Sequence, residues 1–546
     1  MKDLPRQPFT TEDFSPRGGG IDFLGLRWVG LTMVGNDLLP QINNATSDMG
    51  MFFLGAWIPW KFQQLCQKDH DRLFTEKNYR AFREKVEIAI SLTFKDEYKG
   101  KRPYGVANNR IGVGESGDLP YQPSFKTAGR TNSTSLYAAA IYGPALRALG
   151  LMEGYRSQAV DGSSLDIAVV SKDEGATDIV KQVDASLQKA KSYDYLDSLD
   201  VPKLEWSEVC KLGEAGLDPT CYRGSSFDKQ KARFLSKLLP TDPEQFGYAR
   251  TVTARLLLAT LAQRQGVDSY QIRDAWYTGL WEDGKALRFK EPLLENHCRR
   301  WSCFMARQYQ RYAIELFLWC FEEALAKGCR SIEASVEFWA EKMQAAGQNP
   351  KTTFKDLLKH VAGDLHGTDE EKTSRAWNAK VHVGDKRFEY VDDPCTDKGA
   401  VSGLRMLAGW YWRMIVRRSD ERNKTEMELG GADRMGMGWF FDWLRARQDR
   451  KLSDLLRDIF SDLIFSQHMR VALSRFDGSA QRLRFLLGDQ GVEPTVSARR
   501  DLAQRGVPWM PDRLNTLVSL LRDCDILEIK DSVIRLGPKA AKVSTP

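Results

Sequence analysis

Hydrophobic side chains recur at helical spacing over most of the chain, and the longest uninterrupted pattern runs from Asn296 to Lys327. Its apolar residues return every three or four positions, which places them on one broad helical face. Gly328 follows at the position where helices commonly end. The pattern leaves few polar side chains for solvent: Arg307, Gln308, Arg311 and Glu315. We therefore predict a buried helix around which other helices pack.

A membrane-spanning helix is the alternative for this segment. About 20 nearly uncharged residues in a row are needed to cross a bilayer. The segment carries charges that interrupt every such window: Arg311, Glu315, Glu322 and Glu323. The sequence therefore predicts a helix inside a large helical core, and no membrane partner.

Similar patterns predict further helices and a few strands. One helix begins near Met49, with Thr46 or Ser47 as its expected N-cap. The other predicted helices cover residues 75–95, 131–149, 178–191, 229–344 with breaks near 240–243 and 283–284, 401–416 and 439–465. Short strands are predicted at 379–383 and 388–391. The predicted fold class is mainly α: a multi-domain helical protein with small β pieces.

Proline-rich, glycine-rich and charged stretches suggest where this helical chain is divided. The stretch 194–226 is rich in Asp, Pro and Gly and is interpreted as a linker. The stretch 419–438 is charged and glycine-rich and is interpreted as mobile. The predicted divisions are an arm at 1–20, a mixed and mostly helical domain at 21–193, a central helical domain at 227–345, a helical domain with a small β insert at 346–465, and a C-terminal unit at 466–546.

The C-terminal unit has a different pattern from the rest. An amphipathic helix at 511–522 is followed by alternating strands at 525–530 and 532–536, joined by a tight turn at Asp531. Helices predicted at 466–487 and 495–504 precede it. Three helices and a hairpin are the order of a winged-helix unit, whose last helix can enter a DNA major groove. A winged helix that binds protein, or a hairpin that merely closes a domain, remain as alternatives.

Length and charge add one asymmetry. The 546 residues suffice for about two to four domains. The net charge of +6 is small, but residues 401–546 hold 25 Lys and Arg against 19 Asp and Glu, a difference that equals the charge of the whole chain. A polyanionic partner is therefore to be sought at this end. Solvated helix faces would explain the same excess.

The cysteines suggest a reducing compartment. They are nine, an odd number, and none forms a C-x-x-C pair. The N-terminal sequence also lacks the apolar stretch of a signal peptide. We therefore expect free thiols and a cytoplasmic location.

Two glycine-rich motifs resemble nucleotide sites but are interpreted as loops. Gly112–Gly117 fits G-x-G-x-x-G, yet Pro120 and Pro123 follow at once and prevent the required helix. Gly279–Ala286 is one residue from a P-loop, because Ala286 replaces the hydroxyl residue that would hold Mg²⁺. We predict an inter-helix turn there. No cofactor is predicted.

A nuclease arrangement is one hypothesis for the C-terminal unit. Asp512, Glu528 and Lys530 match the order of a PD-(D/E)xK site, in which two carboxylates hold Mg²⁺ and a lysine polarises the attacking water. The alternative is that Asp512 only caps the start of the helix. The six histidines form no metal-binding spacing, and no metal site is predicted from them.

Arginines near aromatic residues are the predicted phosphate contacts. They are Arg417, Arg418, Arg445 and Arg447. The next candidates are Arg513 and Arg522, which lie on the last helix. Arginine and aromatic side chains together suit the backbone and bases of single strands. At helical spacing the same aromatics can instead form a core whose rim the arginines cover.

The block from Leu24 to Phe62 carries a family resemblance. It contains Gly35–Pro40 (GNDLLP) and Asn43–Thr46 (NNAT). This block and the chain length resemble the DruB-type subunit of the bacterial Druantia anti-phage system. The resemblance implies a cytosolic subunit that acts beside other proteins of the same defence gene cluster, including a large helicase-like subunit. It carries over no active-site residue.

Three hypotheses of function follow. The first is a non-catalytic component of a multi-gene anti-phage system that works with protein partners and DNA. The second is the metal-dependent nuclease built on Asp512, Glu528 and Lys530. The third is a DNA-binding regulator that uses its winged helix. Enzyme activity is not expected under the first or the third.

Overall fold

The computed structural model describes residues 22–93, 136–137, 142–158, 164–200, 206–363, 370, 372, 395–474, 483–495 and 512–544. Helices dominate these residues, and strands occur in them only as three two-stranded antiparallel sheets. The mainly α class is therefore confirmed. Several predictions lie outside the described residues: the arm at 1–20, the motif at 112–117, the strands at 379–383 and 388–391, and the helix at 495–504 apart from its first residue.

The helices and strands have the following bounds. The helices are α1 (Arg27–Thr32), α2 (Met49–Cys66), α3 (His70–Leu73), α4 (Glu76–Thr93), α5 (Tyr142–Ala148), α6 (Glu174–Leu187), α7 (Trp206–Leu212), α8 (Asp228–Leu238), α9 (Tyr248–Gln263), α10 (Ser269–Thr278), α11 (Pro292–Ala326), α12 (Ile332–Ala345), α13 (Phe354–Ala362), α14 (Gly399–Ser419), α15 (Lys424–Glu428), α16 (Met437–Arg445), α17 (Leu452–Asp458), α18 (Gln467–Ser474), α19 (Leu514–Asp523) and α20 (Ala541–Ser544). The strands pair as β1 (Met152–Gln158) with β2 (Ser164–Val170), β3 (Phe485–Gly488) with β4 (Gly491–Pro494), and β5 (Leu527–Lys530) with β6 (Val533–Leu536).

The described residues fall into two compact units. Unit 1 comprises those within Leu39–Ser269 and Asp512–Pro546, and unit 2 those within Phe9–Leu38 and Tyr270–Pro511. This division differs from the predicted one. The segment 466–546 does not form a unit of its own, because its first part belongs to unit 2 and its last part to unit 1.

Helix α2 lies at the centre of unit 1. Its N-cap is Asp48, whose carboxylate accepts hydrogen bonds from the backbone N–H groups of Gly50 at 2.8 Å and Met51 at 3.4 Å. The predicted caps, Thr46 and Ser47, were therefore wrong. The Thr46 hydroxyl is used in the preceding turn, where it donates to the carbonyl oxygen of Asn43 at 2.8 Å.

The described residues of the predicted linker, 194–200 and 206–226, are a folded part of unit 1. They contain α7 and the short helical segments Gly213–Leu217, Pro219–Arg223 and Ser225–Phe227. Leu217 and Tyr222 are fully buried. The prediction was wrong because Asp and Pro act here as helix starters: Asp218 accepts from Thr220 N–H at 2.9 Å, and Pro219 opens the next turn.

The C-terminal helix and hairpin form as predicted, but inside unit 1. Positive φ angles at Asp531 and Ser532 make the tight turn between β5 and β6. Ile534 of β6 donates its N–H to the carbonyl of Val267 at 2.8 Å. Seven of the ten residues of α19 are buried: Leu514, Thr516, Leu517, Val518, Leu520, Leu521 and Asp523. The residues of α19 that are not buried, Asn515, Ser519 and Arg522, form only a narrow stripe. The closing-hairpin alternative therefore fits better than the groove-reading one.

The prediction of a helix over 466–487 was wrong at its end. Helix α18 is described over Gln467–Ser474, and residues 485–488, which the prediction placed at the end of the helix, form β3. Beside β3, Val492 of β4 donates to the carbonyl of Arg330 at 2.8 Å. Gly491 makes this approach feasible, because a Cβ there would lie 2.2 Å from the same oxygen.

Helix α11 spans 35 residues at the centre of unit 2 and ends, as predicted, before Gly328 at φ +100°. The expected solvent-facing stripe was wrong, because Arg307, Gln308 and Arg311 are each only 1 % exposed. Arg307 donates to the carbonyl oxygens of Met435, Leu26 and Arg434 at 2.5, 3.0 and 2.8 Å. The polar side of α11 is therefore packed against other segments and satisfies their backbone.

Two further predictions for unit 2 were wrong because tertiary packing orders segments that the sequence pattern alone did not. The stretch 419–438, expected to be mobile, contains α15 and buries Met427 and Met435. The single helix expected at 439–465 is broken between α16 and α17. There Arg450 accepts from Phe354 N–H at 2.9 Å and Leu452 donates to Thr352 at 2.8 Å.

A buried cluster built on one ion pair joins four parts of unit 2. The Glu322 carboxylate lies 2.7 Å from Nε of Arg484, and both side chains are 1 % exposed. The backbone N–H of Arg484 donates to Nε2 of His468 at 3.0 Å. Because Nε2 accepts, Nδ1 of His468 carries the proton and donates to the carbonyl of Phe23 at 3.0 Å. The cluster thus fixes α11, α18 and β3 to the N-terminal segment of unit 2.

A cluster of opposite charges fixes the start of α2 in unit 1. Asp523 accepts from Met49 N–H at 3.1 Å, and Arg223 lies 3.0 Å from Asp48 and 2.8 Å from Asp523. Burial, and then the neighbouring Asp523, raise the pKa of Asp48 to about 6, although Arg223 acts in the opposite direction. The native state therefore holds a proton on Asp48 at pH values where the unfolded chain has lost it.

We predict that Glu322→Gln destabilises unit 2 by about 3–5 kcal/mol, because it removes the carboxylate charge that lies 2.7 Å from the buried guanidinium of Arg484. The double variant Glu322→Leu, Arg484→Met removes both charges and should recover most of the loss. Urea unfolding followed by tryptophan fluorescence measures both. A double variant as unstable as the single one would contradict this account.

We predict that the free energy of unfolding of the native chain falls, relative to that of Asp48→Asn, as the pH rises from about 4 to about 6. Below about pH 4, Asp48 is protonated in both the folded and the unfolded state, and the raised pKa contributes its full stabilisation. This stabilisation is lost as the pH rises through the folded-state pKa of about 6. The change should be about 2–3 kcal/mol. Asp242→Asn is the matched control, since Asp242 is exposed and likewise accepts a local N–H, from Glu244 at 2.9 Å. The same pH dependence in both comparisons would refute the assignment to Asp48.

Candidate functional site

A cleft of about 750 Å³ opens in unit 2 where three segments meet. These segments are the end of α10 with the turn that follows it, the first turns of α11, and the last turns of α14 with the residues after them. The charged and polar residues that line it are Thr278, Arg288, Glu295, Arg299, Ser302, Arg413, Arg417, Asp420 and Asn423. Its apolar lining includes Trp276, Leu280, Leu287, Phe289 and Val416.

The turn beside the cleft is the segment that resembles a P-loop. Gly279 and Gly284 adopt φ of +77° and +79°, and Leu280 bridges Ala286. The N–H of Leu287 donates to the carbonyl of Gly279 at 2.8 Å, which closes the turn on itself. The predicted inter-helix turn is confirmed. It places Leu280 and Leu287 in the wall of the cleft and Arg288 at its edge.

Arg417 is the predicted phosphate contact that lies in this cleft. Its Nη2 donates to the carbonyl of Tyr277 and to Oγ of Ser302, both at 2.6 Å, and its Nη1 donates to the carbonyl of Arg413 at 3.1 Å. Its guanidinium lies 4.8 Å from the centre of the Tyr277 ring. All of these partners are neutral, and among the described residues no carboxylate forms an ion pair with Arg417. Of the five N–H donors of a guanidinium, these bonds use three, so donors remain for a ligand.

The other arginines of the cleft reinforce its positive potential. Arg413 is buried beside Arg417, with its guanidinium 4.7 Å from the same Tyr277 ring. Arg299 donates to Oδ1 of Asn423 at 2.6 Å and lies 3.4 Å from Glu426. The lining holds four arginines and two carboxylates, which is a formal excess of two positive charges. An anion is therefore the ligand that this lining favours.

Two cysteine thiols also line the cleft. Burial raises the pKa of both Cys298 and Cys303 to about 12, with smaller increases from the nearby carboxylates Glu295 and Glu426. The Cys303 thiol lies 3.3 Å from Oδ1 of Asn423, where it donates a hydrogen bond. Both thiols are thus protonated at neutral pH, and a protonated thiol is a poor nucleophile. The lining suits binding better than covalent chemistry.

The remaining predicted arginines lie elsewhere and have protein partners. Arg418 lies 3.3 Å from Asp442, and Arg445 lies 3.6 Å from Glu370. Arg447 lies 2.9 Å from Asp458 and stacks on the Trp443 ring. In unit 1, Arg513 donates to the carbonyl of Leu39 and Arg522 to the Asp523 carboxylate. The aromatic residues Trp410 and Phe440 are buried, as the core alternative for these helices predicted.

The three residues of the nuclease hypothesis differ in burial: Asp512 is buried, whereas Glu528 and Lys530 are exposed. Asp512 is buried, and its carboxylate accepts from Leu514 N–H at 3.1 Å, which supports its role at the start of α19. The capping position itself is the next residue, Arg513. Glu528 and Lys530 are exposed on β5, where Glu528 lies opposite Arg535. In the part of the chain that the structure describes, no group of three His, Cys, Asp or Glu side chains could hold a metal ion.

Sequence reasoning missed Arg288, Arg299 and Asn423. They come from three segments that only the folded chain brings together, and no local spacing links them. The one available signal was the near-P-loop at 279–286, whose neighbours line the cleft although the motif itself is only a turn.

Within the described residues no helix is both long enough and apolar enough to cross a membrane. Comparison with protein families, with curated proteins and with solved structures found no match to this chain. The resemblance of residues 24–62 to DruB-type subunits therefore stays an expectation, and the chemistry of the cleft has to be argued from its own geometry.

We predict that Asp512→Ala lowers the free energy of unfolding by about 1 kcal/mol, because Leu514 N–H loses its acceptor. Asp512→Asn keeps an acceptor oxygen and should cost less. The exposed pair Glu528→Gln, Lys530→Ala should change stability by less than about 0.5 kcal/mol. Urea unfolding measures all three.

The same variants test the nuclease hypothesis in a plasmid cleavage assay with Mg²⁺ or Mn²⁺. We expect no cleavage by the native chain. Metal-dependent cleavage that disappears in the stably folded Glu528→Gln, Lys530→Ala variant would establish the nuclease instead.

Proposed function

We propose that this chain is a non-catalytic component of a bacterial multi-gene anti-phage system and that unit 2 contacts DNA through its arginine-lined cleft. Its partners are the other proteins of the same defence gene cluster, including a large helicase-like subunit, and its location is the cytoplasm. The observation that carries the DNA contact is the guanidinium of Arg417, which lines the cleft with neutral partners only.

Electrostatics favour a phosphate beside Arg417. The C-terminal end of α14 stabilises the positive charge of Arg417 by about 0.3–1 kcal/mol through the helix dipole. A charge-assisted hydrogen bond to an anion contributes about 1.5–3 kcal/mol, which is larger. The apolar walls of the cleft lower the local dielectric constant and strengthen that bond. A phosphate bound here therefore stabilises the charge of Arg417 by more than the helix dipole does.

The protonated thiols support binding without catalysis. Neither Cys298 nor Cys303 is activated as a nucleophile, because burial holds the pKa of each near 12. A subunit that holds DNA while a helicase-like partner does the chemical work fits such a lining. This division of work is also what the resemblance of residues 24–62 implies.

We predict that the purified chain binds DNA with an affinity that falls steeply with salt, because phosphate contacts release counterions. Arg417→Gln should weaken binding about tenfold and reduce the slope of log K against log salt by about 1. Fluorescence anisotropy with labelled single- and double-stranded DNA at several salt concentrations measures both quantities.

The matched control is Arg457→Gln. Arg457 is also in unit 2, is about half exposed, and pairs with Asp454 at 2.9 Å outside the cleft. Equal loss of binding in both variants would mean that only net charge matters. In cells that carry the complete gene cluster, phage protection should fall with Arg417→Gln and persist with Arg457→Gln. Full protection with Arg417→Gln would count against a role of the cleft in defence.

A further inference from the structure

We infer that the cleft of unit 2 accepts an unpaired nucleotide with a terminal phosphate, either free or at the end of a DNA strand. The inference rests on the proposed DNA contact, and it adds which part of the nucleic acid enters the cleft. The size, the apolar wall and the charge of the cleft carry it, each by a separate argument.

The size of the cleft excludes most larger ligands from its interior. Its volume of about 750 Å³ lies within the range of about 300–1,000 Å³ that is typical of small-ligand pockets. A duplex keeps its bases paired and stacked and presents phosphates along its outside. It can touch the rim of such a recess, but only an unstacked nucleotide can fill it.

The apolar lining suits a base. Leu280, Leu287 and Phe289 come from the turn after α10 and its flank, and Val416 comes from the last turns of α14. Phe289 is half-buried, so part of it is accessible. Bases that have left the stack pack on aromatic and apolar side chains in most single-strand sites. Phosphate groups alone would leave this wall unused.

The charge of the cleft suits a terminal phosphate better than an internal one. The lining has four arginines against two carboxylates, an excess of two positive charges. A phosphomonoester carries about −1.5 to −2 charges at neutral pH, whereas a phosphodiester within a strand carries one. Arg417 retains donors for such a group after its bonds to Tyr277 and Ser302. An acidic peptide would match the charge but would leave the apolar wall of Leu280, Leu287, Phe289 and Val416 unused, so we favour the nucleotide.

Titration calorimetry with the full chain tests this inference. The probes are deoxyadenosine 5′-monophosphate, deoxyadenosine, a ten-nucleotide single strand with or without a 5′-phosphate, a closed dumbbell duplex without ends, and a short polyglutamate peptide. We expect each phosphorylated probe that binds to bind at least tenfold more tightly than its unphosphorylated counterpart. The dumbbell duplex and the polyglutamate peptide should not displace a bound phosphorylated probe.

Variants locate the binding. Arg417→Gln should abolish the preference for the phosphate, Arg417→Lys should retain part of it, and Arg457→Gln should leave it unchanged. Phe289→Ala should weaken the nucleotide severalfold, and it should weaken inorganic phosphate little, because the phosphate has no base. Melting temperatures within a few degrees of the native chain verify that the variants fold.

The outcomes distinguish a free nucleotide from the end of a strand, and they distinguish this inference from the proposed DNA contact. Binding of the mononucleotide alone identifies a free nucleotide as ligand, and binding of the phosphorylated strand identifies a strand end; both support the inference. Salt-dependent DNA binding that ignores the terminal phosphate, or that Arg417→Gln leaves unchanged, overturns the inference while the proposed DNA contact stands. Equal competition by polyglutamate also overturns it. Binding of the mononucleotide without any binding of DNA would overturn the DNA contact instead.

Discussion

Each unit encloses a guanidinium that donates hydrogen bonds to backbone carbonyls from several segments of the chain. In unit 2, Arg307 of α11 holds carbonyl oxygens from Leu26, Arg434 and Met435. In unit 1, Arg250 of α9 donates to those of Leu238, Pro40 and Lys237. Burial lowers the pKa of both arginines to about 9, yet both remain charged at neutral pH. A carbonyl buried without a donor costs about 1–3 kcal/mol, so these side chains decide which segments can pack around the central helices.

Elements that need no such distant contact could be predicted from the helical and strand patterns of the sequence. The long apolar run of α11, the amphipathic α4 and the C-terminal hairpin were predicted within a few residues, because their signals are local. Periodicity marks the buried face of a helix, and alternation with a turn residue marks a hairpin. Gly328 likewise ends α11 through its own backbone freedom, which needs no distant contact.

Most of the larger predictions that failed depended on tertiary packing. The polar stripe of α11 was assigned to solvent because arginine is usually exposed, and the carbonyls that bind Arg307 come from residues more than a hundred positions away. The stretches 194–226 and 419–438 were interpreted as a linker and a mobile loop from composition alone. Their prolines, glycines and aspartates serve as caps and close-packed turns, and composition does not distinguish these uses from disorder.

The cleft shows the same limit at the level of function. Arg417 could be named from the sequence because aromatic residues accompany it, but three other predicted arginines with the same signal, Arg418, Arg445 and Arg447, lie outside the cleft. What distinguishes Arg417 is how its donors are used. Arg307 uses four of its five N–H groups on protein acceptors and is fully enclosed, whereas Arg417 uses three and lines a recess. A guanidinium whose donors are nearly all consumed can only hold the fold together. One with donors left beside a recess can also bind an anion, and only the folded chain shows which arginine is which.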